Sequence, residues 1–251
     1  MKRIIILTII TYFFGCNTQN SSKNFELGEI AKKFESNGNK LINAALNDTS
    51  GFSRLAEMCD TFGPRFSGSE NLEKALDWIL EEMKADGLEN VHSEDVMVPK
   101  WVRGEESAQM LSPWKKELHM LGLGGSIGTG SNGITSEVIV VNSFEDLEGR
   151  KSEAKGKIVL FNVPFSSYGK TVQYRSGGAI AASKAGAIAS IIRSVGPFSM
   201  NTPHTGGMRY EEGVKKIPHA AITVEDAAMI SRMVNRGQSV KIKLYMEGKF
   251  E

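Results

Sequence analysis

From Gly63 to Gly87 the sequence spells a rigid turn followed by a one-sided helix, and a one-sided helix needs a surface to cover. The turn is Gly63-Pro64-Arg65-Phe66-Ser67-Gly68-Ser69, in which proline fixes φ and two glycines permit tight backbone paths. Leu72, Ala75, Leu76, Ile79, Leu80 and Met83 then recur at intervals of three and four, one apolar stripe. Ser67 with Glu70 has capping-box spacing, Ser69 serves equally as N-cap, and Gly87 stands where a helix stops. A strand is expected over Val91–Val98, ended by Pro99.

Helical periods also fill the sequence before the turn. Leu27, Ile30, Ala31, Phe34, Leu41, Ile42 and Ala45 keep one across 25–46, with Gly38 expected to divide it into two pieces. Phe52, Leu55, Ala56, Met58 and Cys59 mark a short helix with its stripe turned inward, which makes Cys59 a small core hydrophobe. Residues 25–112 therefore hold several amphipathic helices and a single strand, too little sheet to cover them. From Trp114 the pattern changes. Strands are expected at Glu117–Leu121, Ile134–Val141, Lys157–Asn162, Ala187–Arg193, Ala220–Thr223 and Ser239–Tyr245, with helices at Ser143–Lys151, Gly178–Ala185 and Val224–Asn235. Ser143 with Asp146 and Thr223 with Asp226 have N-cap spacing, and Gly186 and Gly237 sit at stop positions. Residues 113–247 alternate strand and helix and are long enough for a core of their own.

At the other end, Lys2 and Arg3 precede an apolar run, Ile4 to Phe14, that closes on Gly15-Cys16. That is the layout of a signal peptide over 1–15, with Cys16 as the lipidation site of a bacterial lipoprotein and 16–24 as a polar linker. The protein is expected to be exported to the bacterial cell envelope, or otherwise to the periplasm or the medium. A net charge of +1 gives no electrostatic case for a nucleic-acid partner, and two cysteines cannot build a disulfide framework. Nothing in the sequence specifies an oligomeric state.

Two motifs match known chemistry by spelling. Gly124-Gly125-Ser126-Ile127-Gly128 fits a nucleophile elbow, with His204 and His219 downstream, but the elbow must open into a helix and a β-rich run follows instead. Ser126 as the nucleophile of a serine hydrolase is the weakest functional reading. Gly128-x-Gly130-x-x-Gly133 fits a dinucleotide fingerprint and fails for the same reason. Gly122–Gly133 is expected to be a flexible surface loop. The long loop 195–216 carries His204, either a contact at a substrate rim or a solvated histidine. Arg65 in the turn suits either a substrate carboxylate at the same rim or a structural ion pair.

The words DTFGPRFSGSENLEKAL, DGLENVHSEDVMVPKWVRGEESAQML, LGLGGSIGT, TVQYRSGGA, GPFSMNTPHTG and KIPHAAITVEDAAMISRM occur in order across roughly residues 50–247. Together they resemble the zinc exopeptidases of the aminopeptidase Y and glutamate carboxypeptidase group. The resemblance implies an α/β fold: the incomplete N-terminal part of a peptidase domain (25–112), then a protease-associated-type insert domain (113–247). It implies a metallopeptidase of carboxypeptidase or dipeptidase type, with two zinc ions and peptide substrates. In that group the metal ligands and the general base follow the insert, so neither a catalytic nor a metal residue is expected in this chain. His92-Ser93-Glu94 has a His-x-acid spelling, but its matching position is the early strand and not the metal site. The chain alone is then expected to be inactive. The other reading is a non-catalytic, envelope-tethered module that binds peptides or a partner.

Overall fold

The computed structural model describes residues 28–198 and 200–251; the signal peptide, Cys16 and the linker lie outside the described residues. The chain divides into two units, one up to Glu57 and one from Met58 to Glu251.

Helix α1 (Glu29–Asn47) runs without a break through Gly38. The expected division does not occur, since one glycine costs a helix only about 1 kcal/mol and no proline accompanies it. The apolar stripe of α1 is exposed at Ile30, Phe34, Leu41 and Ile42. Helix α2 (Ser50–Phe62) buries none of its residues, and Phe52 and Leu55 stand in solvent. Cys59 is accordingly exposed and not a core hydrophobe, because nothing described covers the stripe on which it sits.

Helix α3 (Glu70–Ala85) begins at Ser69, whose hydroxyl accepts the Leu72 N–H. Gly87, at φ +78°, ends it, with the Gly87 and Leu88 N–H groups returning to the carbonyls of Lys84 and Met83. Ala75 is buried, while Leu76 and Met83 remain exposed. Val91–Val98 joins no ladder among the described residues, and His92–Pro99 is exposed throughout. The expected strand is missing because no strand among the described residues offers hydrogen bonds to it.

The sheet begins past Pro99. Strand β1 (Trp101–Val102) forms a two-stranded ribbon with the last strand of the chain. Strand β2 (Glu106–Ser112) lies earlier than the change of pattern in the sequence, since only Ala108 and Met110 turn inward from a largely polar run. The single strand expected at 117–121 is two. Strand β3 (Lys116–Leu118) pairs with β2, and β4 (Met120–Gly122) pairs at the far side of the sheet. The rest follow as β5 (Ile134–Val141), α4 (Phe144–Gly149), α5 (Lys151–Ala154), β6 (Ile158–Phe161), α6 (Tyr168–Lys184), β7 (Ala189–Arg193), β8 (His219–Ile222), α7 (Val224–Asn235), β9 (Lys241–Met246) and β10 (Lys249–Phe250). Helix α6 starts ten residues before the expected helix, because Gly177 and Gly178 interrupt its apolar period.

The large sheet has the order β3-β2-β9-β5-β6-β7-β8-β4. Strands β5 through β8 are parallel and the others antiparallel. Only His119 separates β3 from β4, so the two ends of the sheet meet and it closes on itself. Alternate residues divide between two cores. Val138, Leu160, Ile191 and Ile222 pack with Ala227, Ile230 and Met233 of α7. Ile139, Phe161 and Ile192 pack against Leu147 of α4 and Ala179 and Ala182 of α6.

The closure needs a particular repair. His119 lies between strands, and its N–H is accepted by Asp226 Oδ2 at 3.1 Å while its carbonyl accepts the Thr223 N–H at 3.2 Å. Asp226 is 3% exposed and also receives Lys116 Nζ at 2.8 Å. Thr223 caps α7 by accepting the Asp226 N–H. Removing the carboxylate strands two donors, one of them charged. Asp226→Ala should lower the stability of the second unit by roughly 2–3 kcal/mol, read as a lower urea midpoint. An unchanged midpoint would show that the closure does not lean on this residue.

Candidate functional site

The turn 63–69 is closed by Arg65, which donates from Nη1 to the carbonyls of Met58 and Gly63. Arg65 thus holds the backbone together, and Gly63 and Gly68 adopt the positive φ values that the turn needs. The turn presents Phe66 and Ser67 to a cavity of about 500 Å³. Its other walls come from Pro99, Trp101 and Arg103, from Gly124 and Gly125, from the 205–208 segment and from Phe250.

Trp101 and Phe250 are paired residues of the β1–β10 ribbon. Phe66 meets Trp101 edge-on, with ring centroids 6.2 Å apart. The guanidinium of Arg103 lies 5.1 Å from the Trp101 ring and 5.9 Å from the Phe66 ring. Its Nη1 donates to both oxygens of Glu106, at 3.0 and 3.2 Å, and to the Gly122 carbonyl at 2.7 Å. Nothing in sequence spacing links residues 66, 101, 103 and 250; only the ribbon and the turn bring them together.

The glycine-rich segment 122–133 is not a flexible surface loop. Leu123 and Ser126 are fully buried, and only Gly130–Asn132 is exposed. Its glycines permit backbone contact with β9: a Cβ on Gly128 would lie 2.6 Å from the Met246 carbonyl oxygen, and one on Gly133 2.8 Å from that of Leu244. Gly124 in turn is stitched to the 205–208 segment, donating to the Gly206 carbonyl and accepting from Met208.

Ser126 is a structural joint. Its hydroxyl accepts the His219 backbone N–H at 2.9 Å and donates to the Ile127 carbonyl at 3.0 Å, while its own carbonyl accepts Trp101 Nε1–H at 2.9 Å. No helix opens after it, and the His219 ring faces elsewhere, so the serine-hydrolase reading fails on geometry. His204 is exposed, with its backbone N–H on Ser194 Oγ at 2.8 Å. His92 is exposed beside Glu94, 3.7 Å away. Among the described residues no group of three or more His, Cys, Asp or Glu side chains converges as a metal site. No described helix is long and apolar enough to cross a membrane.

His219 is fully buried. Nδ1 lies 2.6 Å from the Ser190 hydroxyl and Nε2 3.2 Å from the Tyr174 carbonyl, so the neutral ring donates from Nε2 and accepts at Nδ1. Burial pushes its pKa down from 6.5 to about 4. Between those values the unfolded chain takes up a proton that the folded chain refuses. Stability is therefore complete above pH 6.5 and falls as pH drops toward 4, by about 3 kcal/mol in all. His219→Gln should flatten the dependence of the denaturation midpoint on pH across this window, whatever its effect at neutral pH. An unaltered slope would contradict the assignment.

No protein-family model matches the chain. Against characterised proteins it is 51% identical to mouse carboxypeptidase Q over 227 residues, 89% of this chain and 48% of the relative. The chain spans about half the length of the curated relatives it matches. Among solved structures it superposes with a TM-score of 0.82 on a peptidase M28 precursor from Shewanella amazonensis, at 33% identity, covering 88% of this chain and 51% of that one. A zinc aminopeptidase from Bacillus subtilis matches at a TM-score of 0.52 and 20% identity over 78% of this chain and 43% of its own, a likeness of fold alone. The mixed α/β fold is thus similar to that of an M28 peptidase.

Proposed function

We propose that this chain, a homologue of carboxypeptidase Q along most of its length, is a portion of an exported zinc metallopeptidase of carboxypeptidase or dipeptidase type. The observation that carries this reading is the 51% identity over 227 residues, joined to the M28 superposition at 0.82. Its substrates are dipeptides or short peptides. The zinc ligands and the general base come from the part of the relatives' length that this chain does not span, and the chain alone is inactive. The zinc pair, when bound there, supplies a hydroxide nucleophile and polarises the scissile carbonyl.

The closed sheet with its helices is a protease-associated-type insert, 113–247 extended back to Glu106 by β2. The rest of 25–112, up to Glu105, is by contrast the opening of the peptidase domain itself. The exposed stripes of α1 and α2 support this, since such faces are stable only under cover. Export runs through the signal peptide 1–15, with Cys16 as the lipid anchor in a bacterial envelope. A tethered, non-catalytic peptide-binding module is the second reading, favoured by the complete cores of the sheet.

The deciding experiment compares the 251-residue chain with a polypeptide extended to the relatives' full length, assayed on a dipeptide panel with zinc. Hydrolysis by the longer form alone, lost on chelation and restored by zinc, is expected. Zinc-dependent hydrolysis by the 251-residue chain would contradict the assignment of the ligands, and no hydrolysis by either would favour the binding module.

A further inference from the structure

We infer that the cavity walled by Phe66, Trp101, Arg103, Met208 and Phe250 binds the large apolar side chain of a peptide, with an adjoining backbone carbonyl on Arg103. The inference rests on the peptide-handling role proposed above and names the chemistry that one part of the molecule recognises.

Size and lining come first. About 500 Å³ is the scale of a small-ligand pocket, and its walls are aromatic and aliphatic with a single charged side chain among them. Phe250 is 58% exposed, so a ring entering the cavity would cover apolar surface that water now touches. The backbone of Gly124, Gly125, Gly206 and Gly207 forms one side, and a Cβ on Gly207 would meet nothing within 4 Å. At Gly207 that side is open, because no side chain occupies the space beside it.

Arg103 supplies the polar contact. Its Nη1 is spent on Glu106 and the Gly122 carbonyl, while Nε and Nη2 have no partner among the described residues. Two donor nitrogens with three N–H groups therefore stay available on a guanidinium held in place by a salt bridge at 3.0 Å and by two aromatic rings. The Glu106 carboxylate already balances the charge. A second full carboxylate would gain little there, whereas a neutral amide carbonyl can take the remaining donors without repulsion from Glu106.

The test uses the full 251-residue chain without metal, following the Trp101 indole N–H by NMR. The probes are N-acetyl-phenylalanine-N-methylamide, its alanine counterpart and N-acetyl-phenylalanine as the free acid. The phenylalanine amide should bind at least about tenfold more tightly than the alanine amide, and no more weakly than the free acid. Gly207→Leu fills the open side at a residue of ordinary φ and should weaken the phenylalanine amide at least about tenfold while leaving the thermal unfolding curve in place. Arg103→Met should weaken both amides. Equal affinity for the phenylalanine and alanine amides, a dissociation constant above about 10 mM, or indifference to Gly207→Leu would overturn the site. Tighter binding of the free acid would overturn the neutral-carbonyl assignment. Because binding here needs neither zinc nor hydrolysis, failure of this test leaves the peptidase reading standing, and an inactive extended polypeptide leaves this site standing.

Discussion

The second unit depends on what happens to the peptide group of His119. A sheet that closes on itself with one bent strand must leave a residue at the bend with no ladder partner. That residue would be a flaw unless its N–H and carbonyl found other partners. The start of α7 provides both, through the Asp226 carboxylate and the Thr223 N–H. A helix terminus has free N–H groups and a sheet joint has unmatched groups of both kinds, and each satisfies the other. The apolar face of α7 then lies against the inner face of the sheet, so the clasp and the core reinforce one another.

Much of this fold was legible before any coordinates. The runs at 134–141 and 158–161 are continuously apolar or alternate cleanly, and they became β5 and β6 with nearly the expected ends. Ser143, Thr223, Gly186 and Gly237 took the caps and stops that their chemistry favours. What was misread shares one cause: the deciding contact lay far away in sequence. Val91–Val98 has strand-like composition but no strand beside it. Cys59 sits on an apolar stripe that nothing described covers. Gly122–Gly133 looks like a loop by composition, yet its glycines serve close passage beside β9.

The cavity was illegible for a related reason. Its aromatic residues come from a turn, a two-residue ribbon and the end of the described chain, and none of those stretches carries a period that marks it. Ser126 shows the reverse case. Its motif was conspicuous, and packing gave its hydroxyl to the backbone of His219 and Ile127. Arg65 fell between these extremes, since a structural ion pair was one of its two expected roles and backbone carbonyls of Met58 and Gly63 take its guanidinium instead.

The β1–β10 ribbon has one more consequence. Trp101 and Phe250 sit opposite each other, so the path of the chain between them leaves and returns at a single point. Topologically that path is almost a circle. Circular permutants that join 101 to 250 through a short linker and open at the exposed tip near Ser131 would keep every strand neighbour they have now. For this lobe the order in which its elements are written matters less than the company each one keeps.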